Sequence, residues 1–285
     1  MGILDLFKKK QRENNVNPQE NEVTTKITHK WDITAEVAKL GNEKYVVRDD
    51  FKDKEYYINR LVKINALLND VTERYESGTM YEPERYYPLV RRQIIDMIYL
   101  LYVLGAEHGV IKKYVIEYLS LLEKEDKRGW PYSIEVSVLA LASLYDIETE
   151  KIAWVKSKMG QIKDKYVDAV LDVLRNKIFD DKLLTDKEFY FKETGIFSEH
   201  RRAKGGLVDV FNAKDVDTRT EKFVEYLTKV KEKHYKYLLK HYDEVGEERY
   251  TYYGSQCFKL TALAKILEID KTKIASSRFI ADDLL

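Results

Sequence analysis

ALAKILEIDKTKI, residues 262–274, and ALASLYDIETEKI, residues 140–152, follow one pattern without a gap. The matching positions hold small and aliphatic residues, then an acidic residue, then a lysine before a final isoleucine. Apolar residues three and four positions apart lie on one side of an α-helix. The pattern therefore predicts two equivalent buried helices and favours an internal duplication of one helical unit. A chance likeness between two alanine- and leucine-rich helices is the alternative that the sequence leaves open.

The composition favours long helices over a fold with many turns. The 285 residues include only four prolines and twelve glycines, which are the residues that most often interrupt regular structure. We therefore predict an all-α protein, built as a multi-helix bundle or a short helical array that contains the duplicated unit.

Helical periodicity sets in at Asp50 and runs to Gly78, with apolar residues at intervals of three and four. The next helix opens at Pro83 or Pro88 and is apolar on nearly all sides, so it is predicted to be the most buried helix of the N-terminal half. Asp217 is predicted to cap a long helix of the C-terminal half.

The chain is predicted to divide into three parts. Residues 1–45 contain a polar tether and one short helix that begins at an Asp32 cap, residues 46–125 form an N-terminal helical domain, and residues 126–285 form a C-terminal helical domain. The polar, aperiodic composition of residues 11–28 predicts the tether. For residues 179–215 the sequence predicts only short helices and loops.

Charge and hydropathy argue against several classes of protein. Lys and Arg together number 49, as do Asp and Glu, so the chain lacks the basic excess typical of proteins that bind nucleic acid directly. No apolar run is long enough to span a bilayer, which argues against stable membrane insertion. The single cysteine, Cys257, excludes an internal disulfide and fits a cytoplasmic location. The sequence leaves the formation of a homodimer open.

No motif for catalysis, metal binding or cofactor binding is present. His234 and His241 lie about 10 Å apart along one predicted helix, too far for one metal ion, and the chain has neither a nucleophile elbow nor a phosphate-binding loop. We therefore predict a protein that is not an enzyme and has no metal or cofactor. A hydrolase with an unrecognised carboxylate site is the weaker alternative.

Several framework positions of the chain match a known family. They are the Arg48-Asp49 and Tyr56-Tyr57 pairs, the Ser133–Ile147 helix, Tyr253-Gly254, Phe258, the Ala262–Leu267 helix and the closing Asp283-Leu284. With this pattern, which spans about residues 46–285, the chain resembles the immunity proteins of PoNe nucleases, the PoNi family. It departs from the family at its last residues, Arg278–Leu285, and over residues 189–215.

The resemblance implies a cytoplasmic protein that binds a cognate antibacterial DNase toxin and covers its active site. Residues 101–150 hold five Lys and Arg against nine Asp and Glu, and carboxylates can occupy a groove that binds phosphates. The predicted toxin-binding residues are five carboxylates in predicted turns: Glu123, Glu125, Asp126, Asp180 and Asp181. An ordinary solvated face is the alternative for these carboxylates, and a helical-repeat adaptor that binds other proteins is the alternative for the function.

Overall fold

The computed structural model describes residues 31–125, 132–159, 169–179, 206–245 and 254–285. These residues form helices and no β-strand, which confirms the predicted all-α fold. The α-helices are α1 (Thr34–Leu40), α2 (Lys54–Glu76), α3 (Tyr86–Val103), α4 (His108–Lys124), α5 (Tyr132–Leu144), α6 (Trp154–Met159), α7 (Ala169–Phe179), α8 (Leu207–Asn212), α9 (Val216–Glu225), α10 (Glu232–Val245), α11 (Phe258–Ile266) and α12 (Lys271–Ile274).

Helix α2 begins four residues after the predicted start at Asp50. The carboxylate of Asp53 accepts a hydrogen bond of 2.7 Å from the backbone N–H of Tyr56 and so caps the first turn. The predicted apolar stripe is confirmed over most of its length, since Tyr57, Leu61, Ile64, Leu68 and Val71 are buried, whereas its predicted end members Phe51 and Tyr75 are half-buried. The helix ends at Glu76 with Ser77 as its C-cap, and the chain turns away at Gly78, whose φ of 71° suits a residue without a side chain.

Helix α3 is the central helix of the N-terminal half. Its residues Ile94, Met97, Ile98, Leu100 and Leu101 have no exposed surface, which confirms the predicted burial of this helix. A short 3₁₀ segment, Pro83–Arg85, precedes it. Helix α3 packs between α2 and α4, and α1 lies against α2.

The two repeated stretches form helices α5 and α11, which pack against each other. Each helix ends in the same way. Ile147 N–H donates to the carbonyl of Ala142 at 2.9 Å, and Ile269 N–H donates to the carbonyl of Ala264 at 3.0 Å. The residues before these isoleucines, Asp146 and Glu268, have positive φ angles of 47° and 57°. The predicted equivalence of the two helices and their turns is therefore confirmed.

The same kind of helix end, which is common at helix C-termini, closes α2 and α3. At the end of α2, Gly78 has a φ of 71° and the N–H of Thr79 donates to the carbonyl of Arg74 at 2.9 Å. At the end of α3, Gly105 has a φ of 79° and the N–H of Ala106 donates to the carbonyl of Leu101 at 2.9 Å. The helix end alone therefore does not define the repeat, which rests on the matching sequences of the α5 and α11 stretches.

The left-handed backbone at Glu268 leads to a prediction about stability. We expect Glu268→Gly to raise the free energy of unfolding by about 0.5–1 kcal/mol, since glycine adopts this backbone conformation without steric strain. Glu150→Gly is the control, because Glu150 is equally exposed but lies in the 3₁₀ segment Thr149–Ile152. The control is expected to destabilise the fold. Urea denaturation measures both, and a loss of stability in Glu268→Gly would contradict the assignment.

The predicted long helix of the C-terminal half consists of α9, a π-helical stretch and α10. Its N-cap is Asp215 and not the predicted Asp217, because the Asp215 carboxylate accepts from the backbone N–H of Thr218 at 2.8 Å. The π-helical stretch covers Tyr226–Lys231. Within it the Thr228 hydroxyl donates to the carbonyl of Val224 at 2.8 Å, a bond that competes with regular backbone pairing.

Residues Trp31–Leu285 form one compact unit. Helices α4 and α5 pack together across the predicted boundary at residue 125. Helix α1 begins after Ile33, and the Asp32 carboxylate, predicted as the cap, accepts from Thr34 N–H at 2.9 Å instead. The division into three parts stays a prediction. The predicted tether lies outside the described residues.

Candidate interaction surfaces

A buried carboxylate joins the two ends of the compact unit. Asp49 Oδ1 accepts from the Tyr57 hydroxyl at 2.6 Å and from Phe51 N–H at 3.1 Å. Asp49 Oδ2 accepts from the backbone N–H and the hydroxyl of Ser255, at 2.9 and 2.7 Å. Asp49 is only 6% exposed. Burial, followed by the bond to Asp49, raises the pKa of Tyr57 far above its ordinary range, so the phenol stays a donor.

Arg48 ties the same segment to α3 and to the last residues of the chain. Its Nη1 donates to the carbonyl of Tyr102 at 2.8 Å, its Nη2 lies 2.6 Å from Asp283 Oδ2, and its guanidinium lies 4.2 Å from the centre of the Tyr102 ring. The Tyr102 hydroxyl donates to Asp283 Oδ1 at 2.6 Å. These contacts use the donors of Arg48 within the protein.

Helix α4 brings a further group to Asp283. His108 Nε2 lies 3.0 Å from Asp283 Oδ2, and its ring centre lies 6.3 Å from that of Tyr145 at the end of α5. Burial by itself would raise the pKa of Asp283, but the hydrogen bonds from Tyr102 and His108 and the charge of Arg48 hold it below its ordinary value. Asp283 is therefore a carboxylate anion at neutral pH.

Gly254 allows the close approach of these segments. Its φ is 109°, and a Cβ atom at this position would lie 2.5 Å from Val103 Cγ2 of α3. Any side chain would therefore force the backbone away from α3 and from the bond that joins Ser255 to Asp49. Only glycine fits here.

A polar cleft of about 500 Å³ opens beside this junction. One wall is the segment Val47–Asp50 and the other is the segment Ala275–Asp282, with Tyr102, Ser255 and Gln256 between them. Arg278 Nη1 lies 3.3 Å from Asp50 Oδ1 across the rim. Sequence analysis did not identify this cleft, although its acidic pairs Asp49-Asp50 and Asp282-Asp283 are visible, because nothing in the sequence shows that the two segments meet.

The predicted toxin-binding carboxylates do not share one environment. Glu123 is exposed near the end of α4. Glu125 is 3% exposed, and its Oε2 accepts from Arg91 Nε of α3 at 2.9 Å. Glu125 therefore holds α4 against α3 and offers no free carboxylate to a partner. Asp126, Asp180 and Asp181 lie outside the described residues, so a shared binding face stays a prediction.

Glu135 is a further buried carboxylate, with a different environment from Asp49 and Glu125. Glu135 of α5 has no exposed surface, and neither of its oxygens has a hydrogen-bond partner in the part of the chain that the structure describes. Burial raises its pKa to about 8, although the positive charge of Arg175 on α7 acts in the opposite direction. At neutral pH Glu135 is thus mostly protonated inside the α5–α7 contact.

Within the described ranges, no group of three or more His, Cys, Asp or Glu residues is placed to hold a metal ion. None of the helices described above is both long enough and apolar enough to cross a bilayer.

Comparison with known proteins supports the fold. No model of a known protein family matches the chain, and no curated protein matches it. Among solved structures, the chain is similar to "The Crystal Structure of Protein PA2201 from Pseudomonas aeruginosa", with 13% sequence identity and a TM-score of 0.63. The match covers 88% of this chain and 94% of that chain. At this identity the likeness shows a shared helical fold.

Proposed function

We propose that this chain is an immunity protein that binds a cognate antibacterial DNase toxin in the cytoplasm and neutralises it by covering its active site. The observation that carries the proposal is the convergence of the residues that resemble the PoNi family. Arg48, Asp49 and Tyr57 from the N-terminal part meet Gly254 and Asp283 from the C-terminal part at one junction.

This convergence supports the resemblance as a property of the fold. The matched residues are spread over residues 46–285. Among them Asp49 is bonded to Tyr57 and Arg48 to Asp283, so part of the matched pattern meets at one junction of the fold. The same contacts explain why these positions need their residue types. Because these side chains are engaged within the protein, we expect other, exposed side chains to bind the toxin.

Electrostatics indicates how such a protein could act. A DNase binds the phosphates of DNA through a basic groove, and exposed carboxylates of an inhibitor can occupy that groove. Exposed carboxylates occur at Glu123 near the end of α4 and at Asp282, whose neighbour Asp283 lies 3.0 Å from His108 at the start of α4. The inhibitor needs no catalytic group of its own.

Co-expression with the toxin tests the proposal. Cells that produce the DNase encoded next to this gene are expected to grow only when this chain is present, and an affinity tag on the chain is expected to retain the toxin. Rescue of growth without a complex would indicate enzymatic detoxification, and failure to rescue would exclude immunity. Size-exclusion chromatography of the free chain with light scattering would also show whether a homodimer forms.

A charge reversal at Glu123 tests the predicted acidic turn. Glu123→Lys should weaken toxin binding by about 3- to 10-fold and steepen its dependence on salt, because a charge at the rim of an interface acts mainly on association. Glu84→Lys, an exposed glutamate in the segment Pro83–Arg85, is the matched control. Glu125 is left intact, since its reversal would break the pair with Arg91. Equal affinities measured by titration calorimetry would remove this turn from the interface.

A helical adaptor for other proteins is the second candidate. The observation that favours it is the packing of the two repeated helices α5 and α11 against each other, because repeated helical units commonly build binding surfaces for proteins and peptides. The co-expression experiment separates the two functions, since an adaptor would not restore growth in the presence of the DNase.

A further inference from the structure

We propose that a mostly apolar pocket between α3 and α10 binds a small amphiphile with one carboxylate head and an aliphatic body. The pocket has a volume of about 320 Å³, which lies within the range of small-molecule sites. Its lining supports this ligand whether or not the protein binds a toxin.

The body of the pocket suits a hydrocarbon chain. Helix α3 contributes Ile95, α10 contributes Leu238 and Leu239, and the C-terminal segment contributes Phe279. A chain that covers these side chains removes apolar surface from water on both partners, which is the main favourable term in the binding of apolar groups.

The same pocket carries hydrogen-bond donors that the protein leaves unused. The Tyr99 hydroxyl, the Cys257 thiol and the Lys231 ammonium belong to lining residues, and none of them makes a hydrogen bond or ion pair within the part of the chain that the structure describes. Cys257 stands at the N-cap of α11, but its side chain does not cap the helix. Three donors without acceptors suit a ligand head that is rich in acceptors.

These donors lie in one region of the lining. Burial raises the pKa of Tyr99 far above its ordinary range, and the neighbouring Cys257 acts in the same direction, so the phenol keeps its proton. Lys231 Nζ lies 5.6 Å from the centre of the Phe279 ring. The carbonyl of Phe279 in turn accepts from Cys257 N–H at 2.9 Å.

The charges around this region favour an anion. Lys259 is half-buried at the start of α11 and has no hydrogen bond or ion pair with the rest of the described chain. Burial lowers the pKa of Lys259, and the charge of Lys231 acts in the same direction. Two ammonium groups that repel each other and have no carboxylate partner would be stabilised by a bound anion.

The head is more suitably a carboxylate than a phosphate. Lys231 is the only cation among the described residues of the lining, and it can balance one negative charge. Asp96, the only acidic residue in that set, already has an interaction within the protein. It would repel the second negative charge that a phosphate monoester carries near neutral pH.

Protection of Cys257 from alkylation tests the pocket in the full-length protein. Cys257 is the only cysteine of the chain, so its rate of reaction with N-ethylmaleimide reports on this site alone. Octanoate is the probe, and 1-octanol, which has the same chain length but no charge, is the control. We expect saturating octanoate to slow the reaction at least about 5-fold, with half of the effect at about 0.1–1 mM, and 1-octanol at equal concentration to slow it less than about 2-fold.

Variants make the result specific. Lys231→Gln should raise the octanoate concentration that gives half-protection at least about 5-fold, because it removes the cation of the lining. Tyr99→Phe removes only a hydroxyl and should raise this concentration at least about 2-fold. Lys233→Gln is the matched control, since Lys233 is an exposed lysine two positions further along and does not line the pocket. It should protect like the wild-type chain.

Several outcomes would overturn the proposal. These are alkylation that octanoate does not slow, equal protection by 1-octanol, and unchanged half-protection in both Lys231→Gln and Tyr99→Phe. Stronger protection by octyl phosphate than by octanoate would overturn the assignment of a carboxylate head.

Discussion

Asp49→Asn is expected to lower the free energy of unfolding by about 3–5 kcal/mol, a loss that few single substitutions reach. Both oxygens of Asp49 accept hydrogen bonds, from Tyr57 and Phe51 on one side and from Ser255 on the other. Asparagine has only one oxygen, so its amide N–H₂ would face a backbone N–H, that of Phe51 or that of Ser255, although the Ser255 hydroxyl can still donate to the Arg278 carbonyl at 2.9 Å. Because Asp49 is buried, water cannot replace the lost bonds.

Asp50→Asn is the matched control for this substitution. Asp50 is the next residue along the chain, but it is exposed and has only a surface ion pair with Arg278, so its replacement should change stability by less than about 0.5 kcal/mol. Tyr57→Phe removes one donor and should cost about 1–2 kcal/mol. Chemical denaturation followed by circular dichroism measures all three variants. Equal stability of Asp49→Asn and Asp50→Asn would show that the junction does not hold the fold together.

Glu135→Gln is expected to stabilise the protein in a way that depends on pH. The pKa of Glu135 is about 8 in the folded protein, against an ordinary value of 4.5 that applies once the chain unfolds. Below pH 4.5 both states hold the proton, and the residue has no pH-dependent effect. Between pH 4.5 and pH 8 only the unfolded chain releases the Glu135 proton, so the free energy of unfolding falls as the pH rises. Above pH 8 both states have released the proton, and the loss of stability caused by the buried charge stays constant.

Glu135→Gln has no titratable group at this position, so the loss of stability caused by the buried charge at high pH disappears. The gain in the free energy of unfolding should therefore be near zero at acidic pH and reach about 2–4 kcal/mol at alkaline pH. Glu150→Gln, an exposed glutamate that follows α5, is the control and should show no such trend. Thermal melting of the three proteins across the pH range gives the measurement. A gain that is the same at every pH would mean that Glu135 is not protonated in the folded protein.

The prediction of helices succeeded where local chemistry determines structure. The stripe from Tyr57 to Val71 and the all-round apolar character of α3 predict burial directly, because helical periodicity places those residues on the faces that pack. The errors occurred at caps. The cap is Asp215 where Asp217 is predicted, and α2 starts after Asp53 where its start is predicted at Asp50, because several nearby carboxylates could each accept a backbone N–H and only the backbone path selects one of them.

For the candidate sites, in contrast, local sequence was a poor guide, because the deciding contacts join residues that are distant in the chain. Glu125 was predicted to be a surface charge because it stands in a polar turn, and no local signal reveals Arg91 on another helix. Asp49 and Ser255 are 206 positions apart, and the cleft beside them arises only because α3 brings both ends of the unit together.

Residue order alone predicts the helical class and the likeness of the α5 and α11 stretches, since helical periodicity depends on side chains within a few turns of one another. Packing decided which carboxylates are buried, which are paired and which remain exposed at the cleft. The physical reason is that the environment of a charge depends on neighbours in space, and these neighbours come from distant parts of the chain.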